Sequence, residues 1–236
     1  MKKFKLIYRY FSFYEKMLWM ISILVIIVTF LLFDRVNYLN LIASLIGVNS
    51  LIFCAKGNPF GQILMIIFSL LYGYISYTFH YHGEMITYLG MTMPMSVISL
   101  IIWLKNPFQG KKSEVKVNKL KVKDHYFMWI LTILVTIIFY FILDYFSTKN
   151  IIFSTISITT SLLAVYLTSK RSAYYALAYS LNDLVLIVLW ILATLENFSY
   201  ISITCCFVIF FFNDLYGYYS WKRMEKEQNF LKSFDD

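Results

Sequence analysis

The sequence predicts an all-α integral membrane protein with eight transmembrane helices, and three observations carry that reading. Of 236 residues, 60% are hydrophobic and only 14% charged, more apolar surface than a soluble domain of this length needs. The apolar residues fall in eight continuous runs, each close to the roughly 20 residues that cross a bilayer core of about 30 Å. The basic residues gather in alternate connections between those runs. A membrane β-barrel would need alternating polar and apolar residues instead, which excludes it.

The runs, in order, are Met17–Phe33, Leu39–Ala55, Phe60–Phe79, Met85–Leu104, Tyr126–Phe146, Ile151–Thr168, Ala173–Leu195 and Tyr200–Ser220. The first follows Lys2, Lys3, Lys5 and Arg9, as a signal peptide would. Its apolar stretch is too long for one, and Thr29–Arg35 offers no small-residue cleavage site, so it reads as a helix. The fourth contains Pro94, where a kink is expected. Connections are short except Lys105–Asp124, a Lys-rich stretch that reads as a solvated loop facing lipid headgroups. Trp103 and Trp221 end their runs where interfacial anchors are common, and are expected to be such anchors.

Eight spans place the N-terminus, the second, fourth and sixth connections and the C-terminus on one side. These carry 5, 1, 7, 2 and 4 Lys and Arg residues; of the 21 in the chain only Arg35 and Lys149 remain for the other side. This is the positive-inside bias, and it predicts a multi-pass protein of the bacterial inner (cytoplasmic) membrane with both termini cytoplasmic. It also accounts for the net charge of +8 without a nucleic-acid partner. Cys54, Cys205 and Cys206 lie in apolar runs at no metal or redox spacing. His80, His82 and Glu84 are too few for a metal site. No phosphate-cradling Gly loop, zincin motif or nucleophile elbow is present, so neither an enzyme nor a cofactor is expected.

Two stretches can be laid over one another. Cys54–Pro59 followed by two helices closes on Ile102-Trp103-Leu104-Lys105; Thr168–Ser172 followed by two helices closes on Ser220-Trp221-Lys222-Arg223. Lys56 then aligns with Lys170, and Trp103 with Trp221. Adding the preceding helix gives two triplets, helices two to four and six to eight, with helix five between them. Both run in the same direction across the membrane. The chain therefore divides into a tail and extra helix (1–38), a first three-helix repeat (39–104), a Lys-rich loop and linker helix (105–150), a second repeat (151–221) and a cytoplasmic tail (222–236).

Lys56-Gly57-Asn58-Pro59-Phe60-Gly61, Tyr72-Gly73-Tyr74-Ile75-Ser76-Tyr77, Gly83-Glu84, Pro94-Met95 and Trp103-Leu104-Lys105-Asn106 resemble the first half of the PnuC vitamin transporters. Asn182, Leu189-Trp190 and Asn213–Gly217 through Trp221-Lys222 resemble the second half. The resemblance covers roughly residues 39–224. It implies a three-plus-one-plus-three core of the SWEET-like parallel-repeat kind and facilitated diffusion (uniport) of a vitamin nucleoside. It further implies a homotrimer, with a separate cytoplasmic kinase trapping the substrate. Two family patterns are altered: a Trp-x-x-Trp pair reads Tyr175 and Ala178, and the aromatic and Asn-bearing stretch after Gly83-Glu84 reads Tyr88–Thr92. The family favours nicotinamide riboside, and thiamine, riboflavin and proton-coupled transport stay open as alternatives.

Charges inside a membrane helix are site candidates by default, because an Asp at helix centre costs about 2.5–3.5 kcal/mol on insertion scales. Asp183 lies beside Asn182 mid-span, and Asp214 beside Asn213 in the last span. At 100° per residue, Tyr175, Tyr179, Asn182, Asp183 and Trp190 share an arc of about 100°. Asn213, Tyr216, Gly217 and Ser220 share another, with Asp214 at its edge. Tyr88 and Thr92 on the fourth helix and Gln62 on the third complete the expected substrate site. Aromatic faces stack on flat heterocycles, more strongly on cationic ones, and Asn bonds amides and ribose hydroxyls. The two Asp favour a cation, which nicotinamide riboside and thiamine are and riboflavin is not.

Overall fold

The computed structural model describes residues 10–79, 81–148 and 150–233. Among the described residues, eight helices long and apolar enough to span a membrane make up the bundle. We name them α1 (Phe13–Phe33), α2 (Tyr38–Ala55), α3 (Phe60–Thr78), α4 (His82–Lys105), α5 (Val122–Tyr145), α6 (Ile151–Ser169), α7 (Tyr175–Glu196) and α8 (Ile201–Lys232). Lys2, Lys3, Lys5, Arg9, His80 and Lys149, which entered the charge and metal arguments, lie outside the described residues.

The boundaries differ from the apolar runs where polar groups cap or extend a helix. Ser12 and Glu15 form a capping box that starts α1 four residues before its apolar run. α4 contains a π-helical segment, Thr87–Thr92, directly before Pro94, which sits in the first turn of the α-helical segment that follows. Pro has no N–H to give to an α-helical ladder, and the wider π turn falls where that donor is missing. α8 continues past Ser220 to Lys232, so most of the expected tail is helix.

The Lys-rich connection is not a free loop. β1 (Pro107–Phe108) and β2 (Lys111–Val115) form an antiparallel hairpin turned by Gln109 and Gly110, both at positive φ. Val115 is fully buried, and its N–H donates to Gly57 O at 2.9 Å. Gln228, on the extension of α8, accepts from Val117 N at 2.8 Å and donates to Val115 O at 3.0 Å. Hairpin and extension together cover this end of the bundle.

That cover overturns the expectation for the two tryptophans. Trp103 and Trp221 are 0% exposed, under protein where lipid headgroups were expected. Trp103 Nε1 donates to Thr168 O at 3.0 Å and Trp221 Nε1 to Cys54 O at 2.8 Å, each reaching into the other stretch of the sequence alignment. Their rings are 5.3 Å apart.

The α2–α3 and α6–α7 turns share one geometry. Gly57 and Arg171 both take positive φ, 63° and 58°. Asn58 N donates to Phe53 O, and Ser172 N to Leu167 O, each at 3.0 Å. These are helix C-caps of the left-handed type, where an exposed chain carbonyl finds a donor beyond the helix end. α2, α3, α6, α7 and α8 build the buried core, whereas α1 and α5 leave much of their apolar surface exposed, as helices in lipid do.

Candidate functional site

Mid-bundle, α2, α3, α4, α6, α7 and α8 enclose a small cavity. Its volume is about 20 Å³, and it is lined by Leu51, Met65, Phe68, Tyr88, Thr92, Ser161, Tyr179, Asn182, Asp183, Phe210 and Asp214. That is room for a water molecule or two, against the roughly 300 Å³ or more of a drug-sized ligand site. The site is closed in this conformation.

Two carboxyl groups face each other across it. Asp183 on α7 and Asp214 on α8 are each 4% exposed, and both line it. Two carboxylates at one small buried site repel, so a proton shared between them would leave the pair a single negative charge. Asp183 Oδ2 is buried without a hydrogen-bond partner among the described residues. Among the described residues, no Lys or Arg lines the cavity. A buried charge without a cation is expensive, and such groups in membranes mark substrate or ion paths.

Asn182 is fixed from α6. Its Oδ1 accepts from Ser161 Oγ at 2.9 Å, Thr160 Oγ1 at 2.9 Å and Ser157 Oγ at 3.4 Å. Three hydroxyls within about one turn of α6 hold one amide oxygen, which sets the orientation of the group before any ligand arrives. The aromatic wall opposite comes from α3, α4 and α8. Tyr88 packs on Phe68 edge to face at 5.8 Å, and Phe68 on Phe210 at 5.5 Å. The π segment of α4 carries both Tyr88 and Thr92 to this wall.

The structure thus brings together six of the residues singled out in the sequence: Tyr179, Asn182, Asp183, Asp214, Tyr88 and Thr92. It places five elsewhere. Tyr175 packs at the terminal end against Trp103 and Trp221. Trp190 lies toward the opposite end, where its Nε1 donates to Tyr72 OH at 2.8 Å. Asn213 Nδ2 donates to Ser22 Oγ at 2.9 Å, and Tyr216 OH donates to Glu15 Oε1 at 2.9 Å, so both face α1. Gln62 Nε2 donates to Cys54 Sγ at 3.3 Å, between α2 and α3. A helical arc assigns a side to each residue but not the helix beyond that side. Leu51, Met65, Phe68, Phe210 and Ser161 line the cavity without having been singled out, since apolar and small hydroxyl residues look the same in a core.

Among known proteins, the chain matches the family described as nicotinamide mononucleotide transporter over residues 37–223. It is 23% identical over 215 residues to the nicotinamide riboside transporter PnuC of Neisseria mucosa, covering 89% of this chain and 82% of that protein. Its fold is similar to that in the crystal structure of the vitamin B3 transporter PnuC, with a TM-score of 0.81 at 21% identity. The match covers 92% of this chain and 94% of the other.

Proposed function

This chain belongs to the nicotinamide mononucleotide transporter family, and we propose that it imports nicotinamide riboside across the bacterial inner membrane. The observation that carries the choice of substrate is the buried Asp183–Asp214 pair with no basic residue beside it among the described residues. The riboside is a pyridinium cation that a negative charge offsets, whereas the phosphate of the mononucleotide would meet two acids and no basic side chain among the described residues. Tyr88, Tyr179 and Phe68 supply rings for stacking on the pyridinium. Asn182, with its oxygen already committed to α6, suits the carboxamide or ribose.

The closed cavity must widen for passage, in keeping with two helix groups rocking about a fixed central site. We take those groups to be residues 39–104 and 151–221, with 1–38, the 105–150 linker and the cytoplasmic tail 222–236 outside them. Both termini lie in the cytoplasm on this reading, and three copies assemble, their lipid-facing α1 and α5 at the periphery. Transport is downhill, and a separate cytoplasmic kinase retains the product.

Purified protein titrated with nicotinamide riboside, nicotinamide mononucleotide, thiamine and riboflavin tests the substrate. The riboside should raise the melting temperature and bind with the highest affinity. Tighter binding of the mononucleotide or of neutral riboflavin would overturn the charge argument. Uptake into proteoliposomes should be unchanged when the pH gradient is collapsed; loss of uptake would favour proton coupling through the Asp pair.

A further inference from the structure

Glu84 is a buried acid that the site above does not use; Glu15 and Asp34 are also buried, but both accept hydrogen bonds. Glu84 is 3% exposed, and both carboxylate oxygens are buried without a hydrogen-bond partner among the described residues. The Ser157 hydroxyl lies beside it, but its hydrogen bond goes to Asn182 Oδ1 at 3.4 Å. An acid kept for packing would have its oxygens satisfied, because an unpartnered buried polar group costs about 1–3 kcal/mol and a charged one more. Two orphaned oxygens on one residue therefore point to a partner that comes and goes.

The surroundings indicate which partner. Glu84 lies in the first turns of α4, at the end of the bundle opposite the described termini, and three tyrosines, Tyr72, Tyr81 and Tyr88, lie within reach of its charge. Tyr72 and Tyr88 are 4.4 Å apart, ring to ring, and Tyr81 packs on Trp190 at 5.2 Å. Tyr88, one helical turn after Glu84, lines the central cavity together with Asp183. The π segment begins three residues after Glu84, which is a break in the helix where a ring can swing. A carboxylate among aromatic faces is the chemistry that receives a flat organic cation: the rings attract it through their π faces and the acid neutralises it. An alkali cation would want several oxygen ligands, and rings do not supply them.

We propose that Glu84 is a charge-recognition residue on the external approach: the cationic ring meets it first, then passes Tyr88 to reach the Asp183–Asp214 pair. The inference rests on the reading of the chain as a carrier of a cationic nucleoside. Glu84 acts on the approach, so its charge governs the rate of association and the preference for cation over neutral ligand.

The experiment is stopped-flow association of nicotinamide riboside and of its uncharged dihydro form with full-length protein in nanodiscs, for wild type, Glu84→Gln and Glu84→Asp. Glu84→Gln should slow association of the cation roughly five- to ten-fold and leave the dihydro form within about two-fold. Glu84→Asp keeps the charge and should restore the preference for the cation. Equal slowing of both ligands, or of neither, overturns the proposal. So does a Glu84→Gln protein whose only defect is a lower melting temperature, the result for a structural acid. A wild-type cation rate that depends on sodium, with the dependence lost in Glu84→Gln, overturns it in favour of an ion site. Wild type that binds neither nucleoside overturns the vitamin reading itself, and this inference with it, and is distinguishable from the other results.

Discussion

Replacing Trp221 with Phe should destabilise this protein as a core substitution does, although the residue ends an apolar run. The indole is 0% exposed and donates to Cys54 O at 2.8 Å. The carbonyl also accepts from Gly57 N at 2.8 Å, so it is not orphaned by the change. The lost hydrogen bond is then worth about 0.5–1 kcal/mol, the lower part of the usual range. The missing ring leaves roughly 40 Å³, which at about 24 cal/mol per Å³ adds about 1 kcal/mol. The sum, about 1.5–2 kcal/mol, corresponds to a fall of roughly 3–8 °C in apparent melting temperature for a chain of this size. Trp103→Phe should match it, since Thr168 O likewise keeps a second donor, Arg171 N at 3.0 Å. The rings touch at 5.3 Å, so the double variant should depart from additivity. Trp129, 53% exposed on α5, supplies the control, with an expected effect within about 0.5 kcal/mol. The assay is thermal unfolding in detergent, followed by loss of soluble monodisperse protein. Shifts for Trp103→Phe and Trp221→Phe no larger than for Trp129→Phe would refute the core assignment.

Three further outcomes follow from the same geometry. Asp183→Asn alone should retain cation affinity within about three-fold, because an amide can donate to the Asp214 carboxylate and one negative charge remains. Asp183→Asn with Asp214→Asn should lose more than ten-fold for the riboside by equilibrium binding and far less for its dihydro form, and equal losses for both ligands would defeat the pairing idea. A Cys at Val36, 82% exposed in the α1–α2 turn, should react with an impermeant thiol reagent in intact cells expressing protein without its native Cys; labelling only after permeabilisation would invert the topology. Glu15→Gln should loosen α1, since Glu15 accepts from Tyr216 OH at 2.9 Å and pairs with Lys56 at 3.3 Å; proteolysis or hydrogen exchange confined to α1 checks this, and unchanged protection of α1 would refute it.

The spans were legible because a bilayer imposes length and apolarity on each helix, a constraint visible in a single sequence. What escaped was polar structure that bilayer arguments do not reach. The hairpin at 107–115 is Lys-rich, and only Val115 and the Gln109-Gly110 turn hint that it docks. The helix beyond Ser220 is charged, so hydropathy stops where the helix does not. Within the site, Asn182, Asp183 and Asp214 stood out because charge and amide are costly in a membrane. Phe68 and Phe210 did not, since an aromatic that lines a cavity and one that fills a core are the same letter. Asn213 and Tyr216 were selected for polarity and turn out to bind Ser22 and Glu15 on α1. Their polarity answers a neighbouring helix, and the wheel of α8 alone could not reveal that neighbour.

Those contacts to α1 bear on how the bundle is put together. Lys56, in the α2–α3 turn, pairs with Glu15 at 3.3 Å; Lys170, the aligned residue in the α6–α7 turn, pairs with Asp124 at 2.7 Å. The Asp124 bond and its charge hold the Lys170 ammonium above its usual range. Glu15 and Asp124 are each the third residue of their helix, and each accepts from the N-cap backbone there, from Ser12 N at 2.6 Å and Lys121 N at 3.1 Å. A carboxylate at that position is favourable on its own account, because the helix dipole is positive at its start. In both places that acid also reaches the lysine of the turn after the next helix, so α1 is tied to α2 and α3 as α5 is tied to α6 and α7. The helix that looked like an addition ahead of the first triplet and the helix that looked like a linker ahead of the second are anchored by the same contact. A device that moves the two triplets against each other would carry one such helix with each.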